Sequence, residues 1–113
     1  MHEMSLVEGV RELIEAAAER ESFRTVKSVR VEIGQMSGVE REAFEFCFDL
    51  AMRGSLVEGA HLEILATPGS GRCLQCGKTG VLAAVYDPCE HCGEFPVEVT
   101  GGTAMRVIDL EVE

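Results

Sequence analysis

Two Cys-x-x-Cys pairs, Cys73-Leu74-Gln75-Cys76 and Cys89-Glu90-His91-Cys92, stand twelve residues apart. Each pair bends the backbone into a turn that aims both sulfurs at one ion, and four thiolates suit tetrahedral coordination. Gly77 and Gly93 follow the second cysteine of each pair. Glycine there allows a left-handed backbone, so that amides can point at the sulfurs. With Cys73, Cys76, Cys89 and Cys92 all bound, no coordination position stays open, and such a site is structural rather than hydrolytic. Two disulfides and a four-sulfur iron centre are the alternatives. No secretory signal is visible, and Glu3 is the wrong residue type to begin one. In a reducing cytosol paired thiols are more often ligands than disulfides, and the aromatic-poor surroundings favour zinc over iron. His91, inside the second pair, reads either as an exposed loop histidine or as an outward-facing, pH-sensitive ligand.

The second chemical feature is Met1-His2-Glu3. The terminal amine, the backbone nitrogen of His2 and its imidazole can chelate one ion through small rings, and imidazole suits nickel, copper and zinc. A bulky second residue keeps the initiator methionine in place. The Glu3 amide can complete a square plane, or the Glu3 carboxylate can bind or orient the imidazole. Position and residue type alone also fit a frayed, solvated terminus.

The chain has 113 residues and a formal net charge of -10. That length supports one modest core or two small lobes, with metal compensating for a lobe that buries little. The charge argues against nucleic-acid binding. No apolar run reaches membrane-spanning length, and the expected location is cytoplasmic. Neither a Ser, His and Asp arrangement nor a phosphate-binding glycine loop with lysine is present, so no enzymatic activity is expected. Cys47, among phenylalanines, reads as a buried free thiol.

The elements that must position these residues follow from periodicity. Leu6, Val7, Val10, Leu13, Ile14, Ala17 and Ala18 predict a helix over 4–21. Ser5 and Glu8 offer a capping box, leaving Met1 to Glu3 as a short arm. Gly9 inside that helix suggests close approach of another backbone. Residues 28–34 alternate as a strand, with Val29, Val31 and Ile33 on one face. A second helix is expected from about Val39 to Arg53, capped by Ser37 with Glu40 and ended by Gly54. Its apolar face holds Ala43, Phe44, Cys47, Phe48 and Ala51. Residues 60–66 read as a strand with Leu62, Ile64 and Ala66 inward, and 67–71 as a linker. Short strands are expected at 81–86 and 95–99. In 104–112, Ile108, Leu110 and Val112 alternate with acidic residues. That last strand needs partners from before the cysteines, so the zinc-ribbon lobe is read as an insertion. The expected fold is α+β: two helices packed on a three-stranded sheet. The expected domains are 1–69 plus 103–113, an α/β part that carries the amino terminus and that the resemblance given below implies to be nickel-binding, and 70–102 for the zinc-binding part.

The ordered set resembles the HypA/HybF family of hydrogenase nickel-incorporation proteins along essentially the whole chain. The resemblance rests on Met1-His2-Glu3, Ser5-Leu6, Val31-Glu32-Ile33-Gly34, Ser37-Gly38-Val39 and Phe44-Glu45-Phe46. It continues through Gly54-Ser55, Glu58-Gly59-Ala60, the two cysteine pairs and Val107 to Val112. Many relatives have proline where this chain has Glu90, a change that removes no ligand. The resemblance implies a metallochaperone that delivers Ni(II) to the large-subunit precursor of nickel-iron hydrogenase. It implies a HypB-type nickel-binding GTPase as partner, and urease maturation proteins in some organisms. It places nickel at His2 with support from Glu3, and structural zinc at Cys73, Cys76, Cys89 and Cys92. Members occur as monomers and as homodimers, including strand-exchanged ones. The rival reading is a zinc-ribbon protein that bridges partners, nucleic acid included, without a nickel role.

Overall fold

The computed structural model describes residues 2–84 and 86–113. Its elements in chain order are α1 (Glu3–Glu21), β1 (Val26–Gly34), α2 (Arg41–Ala51), β2 (His61–Thr67), β3 (Gly69–Cys73), β4 (Thr79–Leu82), β5 (Val97–Gly101) and β6 (Met105–Val112). They form two three-stranded sheets, ordered β2-β1-β6 and β4-β3-β5. The architecture is α+β, and the last strand returns to the first sheet.

β1 is the central strand of the first sheet and the most buried of its three strands. Val29 and Val31 are fully buried and Ile33 nearly so. It pairs in parallel with β2, which α2 makes possible by carrying the chain back across the sheet. It pairs antiparallel with β6. Val7, Val10 and Ile14 of α1 and Phe44 and Phe48 of α2 meet Val29, Val31 and Ile64 in one core. Each such side chain contributes about 1.5–3 kcal/mol through burial. Cys47 is half-buried at the edge of this core and forms no disulfide.

Several local expectations are corrected. α1 begins at Glu3, with His2 as its N-cap and no side-chain capping bond. Ser5 and Glu8 therefore lie inside the helix, and Glu3 belongs to its first turn, not to an arm. The helix ends at Ser22 in a left-handed conformation, where its amide donates to the Ala18 carbonyl at 2.8 Å. A Cβ on Gly9 would meet nothing within 4 Å, so no backbone of this chain explains that glycine. Leu13 does not join the core and stays 54% exposed. α2 starts two residues later than expected, with Glu40 at its N-cap. The hydroxyl of Ser37 instead accepts from Val39 N–H at 3.2 Å. Ala66 lies exposed near the end of β2.

The expected linker is almost entirely strand. Only Pro68 separates β2 from β3, and the glycine-rich Gly69–Cys73 is the middle strand of the second sheet. Glycines are needed there because neighbours crowd in: a Cβ on Gly71 would sit 2.5 Å from Leu82 and 2.6 Å from Val97. The two other strands of this sheet are shifted from the expected positions, to Thr79–Leu82 and Val97–Gly101. Val85, within the expected 81–86 strand, lies outside the described residues. In β6 the alternation breaks. The register slips between Arg30 opposite Asp109 and Val31 opposite Val107, which makes Ile108 the bulge residue. Met105, Val107 and Leu110 then face the core, and Ile108 does not.

Candidate metal centres

The second sheet aims the four thiols at one point. Cys73 ends β3, and its carbonyl accepts from Gly77 N–H at 2.9 Å. The second knuckle repeats this turn, with Gly93 N–H donating to the Cys89 carbonyl at 2.8 Å. Gly77 and Gly93 have φ of 75° and 74°, the left-handed region expected for them. The turns direct amides at sulfur: Gln75 and Cys76 N–H donate to Cys73 Sγ at 3.3 and 3.4 Å, and His91 N–H to Cys89 Sγ at 3.3 Å.

All four Sγ atoms lie within 4.8 Å of one another. Across the knuckles, Cys73 and Cys92 are 3.6 Å apart and Cys76 and Cys89 3.7 Å. A tetrahedron with ~2.3 Å zinc–sulfur bonds has edges of about 3.8 Å, so the donor set fits zinc. A disulfide needs about 2.05 Å, and none of the cysteines forms one. Cys73 and Cys89 are buried, while Cys76 and Cys92 face solvent.

The thiols are electrostatically divided. The Cys76 amide, aided by the Gln75 amide, brings Cys73 down to about 6 against the opposing effect of burial. The Cys92 amide, then that of His91, lowers Cys89. Cys92 goes the other way. The Glu94 amide lowers it, but desolvation and the sulfurs of Cys73, Cys89 and Cys76 raise it to about 12. Four adjacent thiols cannot all ionise by themselves, and a divalent cation removes that conflict.

His91 is not among the clustered ligands. Its Nε2 lies 2.9 Å from the Thr79 carbonyl oxygen and 3.5 Å from Glu90 Oε1, tying the second knuckle to β4.

The amino-terminal residues form no cluster of three ligating side chains; among the described residues only the four cysteines do. His2 is exposed and its carbonyl accepts from Leu6 N–H at 3.2 Å, the first bond of α1. Glu3 Oε2 accepts from Glu40 N–H at 3.1 Å, joining the start of α1 to the start of α2. This bond chiefly holds the Glu3 carboxyl below its ordinary pKa. Met1, named for its amine, lies outside the described residues. The contact with Glu40 was invisible in the sequence, because the two residues are 37 positions apart and Glu40 read as part of a local capping box.

Residues 1–112 match the family model described as HypA, hydrogenase/urease nickel incorporation, metallochaperone. The hydrogenase maturation factor HypA of Albidiferax ferrireducens is 53% identical over 113 residues, covering 100% of both chains. That of Dechloromonas aromatica is 51% identical over the same span, again covering 100% of both. The solution structure of the Ni metallochaperone HypA from Helicobacter pylori superposes with a TM-score of 0.71 at 31% identity, covering 99% of this chain and 97% of that one. A second HypA solution structure gives a TM-score of 0.72 at 30% identity, covering 100% of this chain and 97% of that one. With sequence, fold and clustered cysteines in agreement over the whole length, this chain belongs to the HypA family of hydrogenase nickel-incorporation proteins.

Proposed function

We infer that this chain is a nickel metallochaperone of hydrogenase maturation. It takes Ni(II) as cargo at its amino terminus and passes it to the hydrogenase large-subunit precursor, without catalytic turnover of its own. Whole-length membership in the family supports the delivery role. The observation that carries the location is the start of α1 at Glu3. The first amides of a helix have no intrahelical acceptor. The His2 and Glu3 nitrogens are therefore free to lose their protons and bind a metal. The positive end of the helix dipole favours the resulting negative nitrogen. His2 supplies the imidazole, and Glu3, held by the Glu40 amide, fixes the first turn on which the ligands sit. Few side chains surround such a site, so a partner can exchange ligands without opening the core.

Cys73, Cys76, Cys89 and Cys92 are assigned to structural zinc, which when bound supplies the cross-link between the two knuckles. In this reading the chain divides into a nickel-binding part, 1–69 plus 103–113, and a zinc-binding part, 70–102. A HypB-type GTPase in the cytoplasm supplies the nucleotide-driven step, and urease precursors are a second destination for the metal.

The test is nickel titration of tag-free, zinc-loaded protein, native against His2→Ala. Stoichiometric uptake lost in His2→Ala with zinc retained supports delivery from the terminus. Equal uptake by both proteins overturns the assignment.

A further inference from the structure

α1 and α2 run side by side in the same direction. Glu3 meets Glu40 at their starts, and Arg11 Nη1 donates to the Ala51 carbonyl at 2.8 Å at the end of α2. Their inner faces fill the core. On the solvent side they leave a groove of about 510 Å³, whose lining includes Met4, Glu8, Glu12, Glu15, Leu50 and Arg53.

The first notable feature of this groove is apolar. Met4 and Leu50 are each 36% exposed, and Phe46, one turn before Leu50 on the same face of α2, is 66% exposed. None of the three belongs to the core. A surface helix ordinarily turns a polar face to water, and a contiguous apolar line on the outside marks a contact surface. The second feature is charge. Glu8 and Glu12 stand one turn apart along α1, a like-charge spacing that costs the helix a little stability. Arg11 lies nearby but is held by the Ala51 carbonyl and by Glu15 at 3.6 Å. Among the described residues Glu8 and Glu12 enter no ion pair.

An apolar line with unpaired carboxylates along one bank is complementary to an amphipathic helix that carries lysine or arginine beside its apolar stripe. Met4 to Glu15 extends about 17 Å at 1.5 Å per residue, which an occupant of about three to four turns would cover. A second copy of the same face would bring the same carboxylates against Glu8 and Glu12, so the charge selects a different chain.

We propose that the solvent-side groove between α1 and α2 docks a basic amphipathic helix of a partner protein. Its apolar face rests on Met4, Phe46 and Leu50, and its cations meet Glu8 and Glu12. This goes beyond the nickel reading and does not rest on it. Met4 directly follows Glu3, so the occupant lies against the first turn of α1.

Fluorescence anisotropy with labelled synthetic peptides tests this on the full-length, zinc-loaded chain at physiological salt. One peptide of about 16 residues sets leucine at helical spacing among lysines. A second has the same composition with the leucines scattered, and a third carries glutamate in place of lysine. The basic amphipathic peptide is expected to bind saturably, at least ~10-fold tighter than either control. Leu50→Gln, Phe46→Gln and the double reversal Glu8→Lys with Glu12→Lys should each weaken it at least ~10-fold. Glu58→Lys with Glu63→Lys makes the same charge change away from the groove and should have little effect. All these positions are exposed, and circular dichroism checks that each variant folds. Equal binding of the scattered peptide, or equal weakening by both reversals, would mean adhesion to the net charge of -10 alone and overturns the proposal. So does absence of binding, or binding that neither Leu50→Gln nor Phe46→Gln weakens.

Discussion

The carboxylate of Glu3 accepts a 3.1 Å hydrogen bond from the backbone N–H of Glu40, which ties the first turn of α1 to the first turn of α2. Two helix starts that are far apart in sequence are thereby fixed beside the proposed nickel ligands. Glu3→Ala removes this tie while leaving His2 and the backbone nitrogens in place. Nickel affinity is expected to fall roughly 10-fold, the low end for a residue that orients a metal ligand. Calorimetric titration of the tag-free variant measures it, and an unchanged affinity would assign Glu3 no part in the site.

Zinc removal should be local in its effect. With Cys89→Ser the tetrahedral set is incomplete, and zinc content is expected to fall from about one ion per chain to near none. Amide exchange should then rise sharply in β3 to β5, which the knuckles anchor. The valine core around β1 needs no metal and should keep its protection. Loss of protection in β1 as well would show that the two sheets fold as one unit.

Glu32 gives a pH test independent of metal. The Thr67 hydroxyl, then Arg106, hold its carboxyl below the ordinary value of 4.5. A depressed carboxylate pKa stabilises the fold above the unfolded-state value, and that contribution disappears as pH falls through the folded value. Urea unfolding should therefore show native protein more stable than Glu32→Gln near neutrality. The difference should shrink below pH 4.5 and close under acid conditions. A difference constant with pH would mean that the charge is not what matters at this position.

Two glycines should respond oppositely to the same substitution. Gly34→Ala places a Cβ against the carbonyl of Gly102, backbone against backbone where Met36 N–H also bonds that carbonyl at 2.7 Å. A loss of about 1–3 kcal/mol is expected from such overpacking. Gly9→Ala meets nothing in its own chain and should raise helix stability by about 0.5–1 kcal/mol. Chemical denaturation compares them directly. Destabilisation by Gly9→Ala would mean that the position is not open in the folded chain.

The sequence by itself determined whatever depends on residue type and short spacing. Cys-x-x-Cys-Gly, written twice, specified the knuckles, because one turn brings each pair of sulfurs together and glycine adopts the positive φ. The periods of Val7 to Ile14, Phe44 to Phe48 and Val29 to Ile33 specified two amphipathic helices and the central strand, because burial repeats with the backbone geometry. The leftover alternating strand at the carboxyl end required an inserted lobe. Tertiary structure alone decided the rest. Ser5 and Ser37 made good local caps, yet α1 starts at Glu3 and α2 at Arg41 without a side-chain capping bond at either start, and the amide of Glu40 donates instead to Glu3, 37 residues away. The stretch of glycines from Gly69 read as a linker because glycine disfavours strands in isolation, but close packing of Leu82 and Val97 leaves room only for glycine there. The slip at Ile108 depends on how β6 meets β1. Alternation along one strand cannot reveal a register that its neighbour imposes.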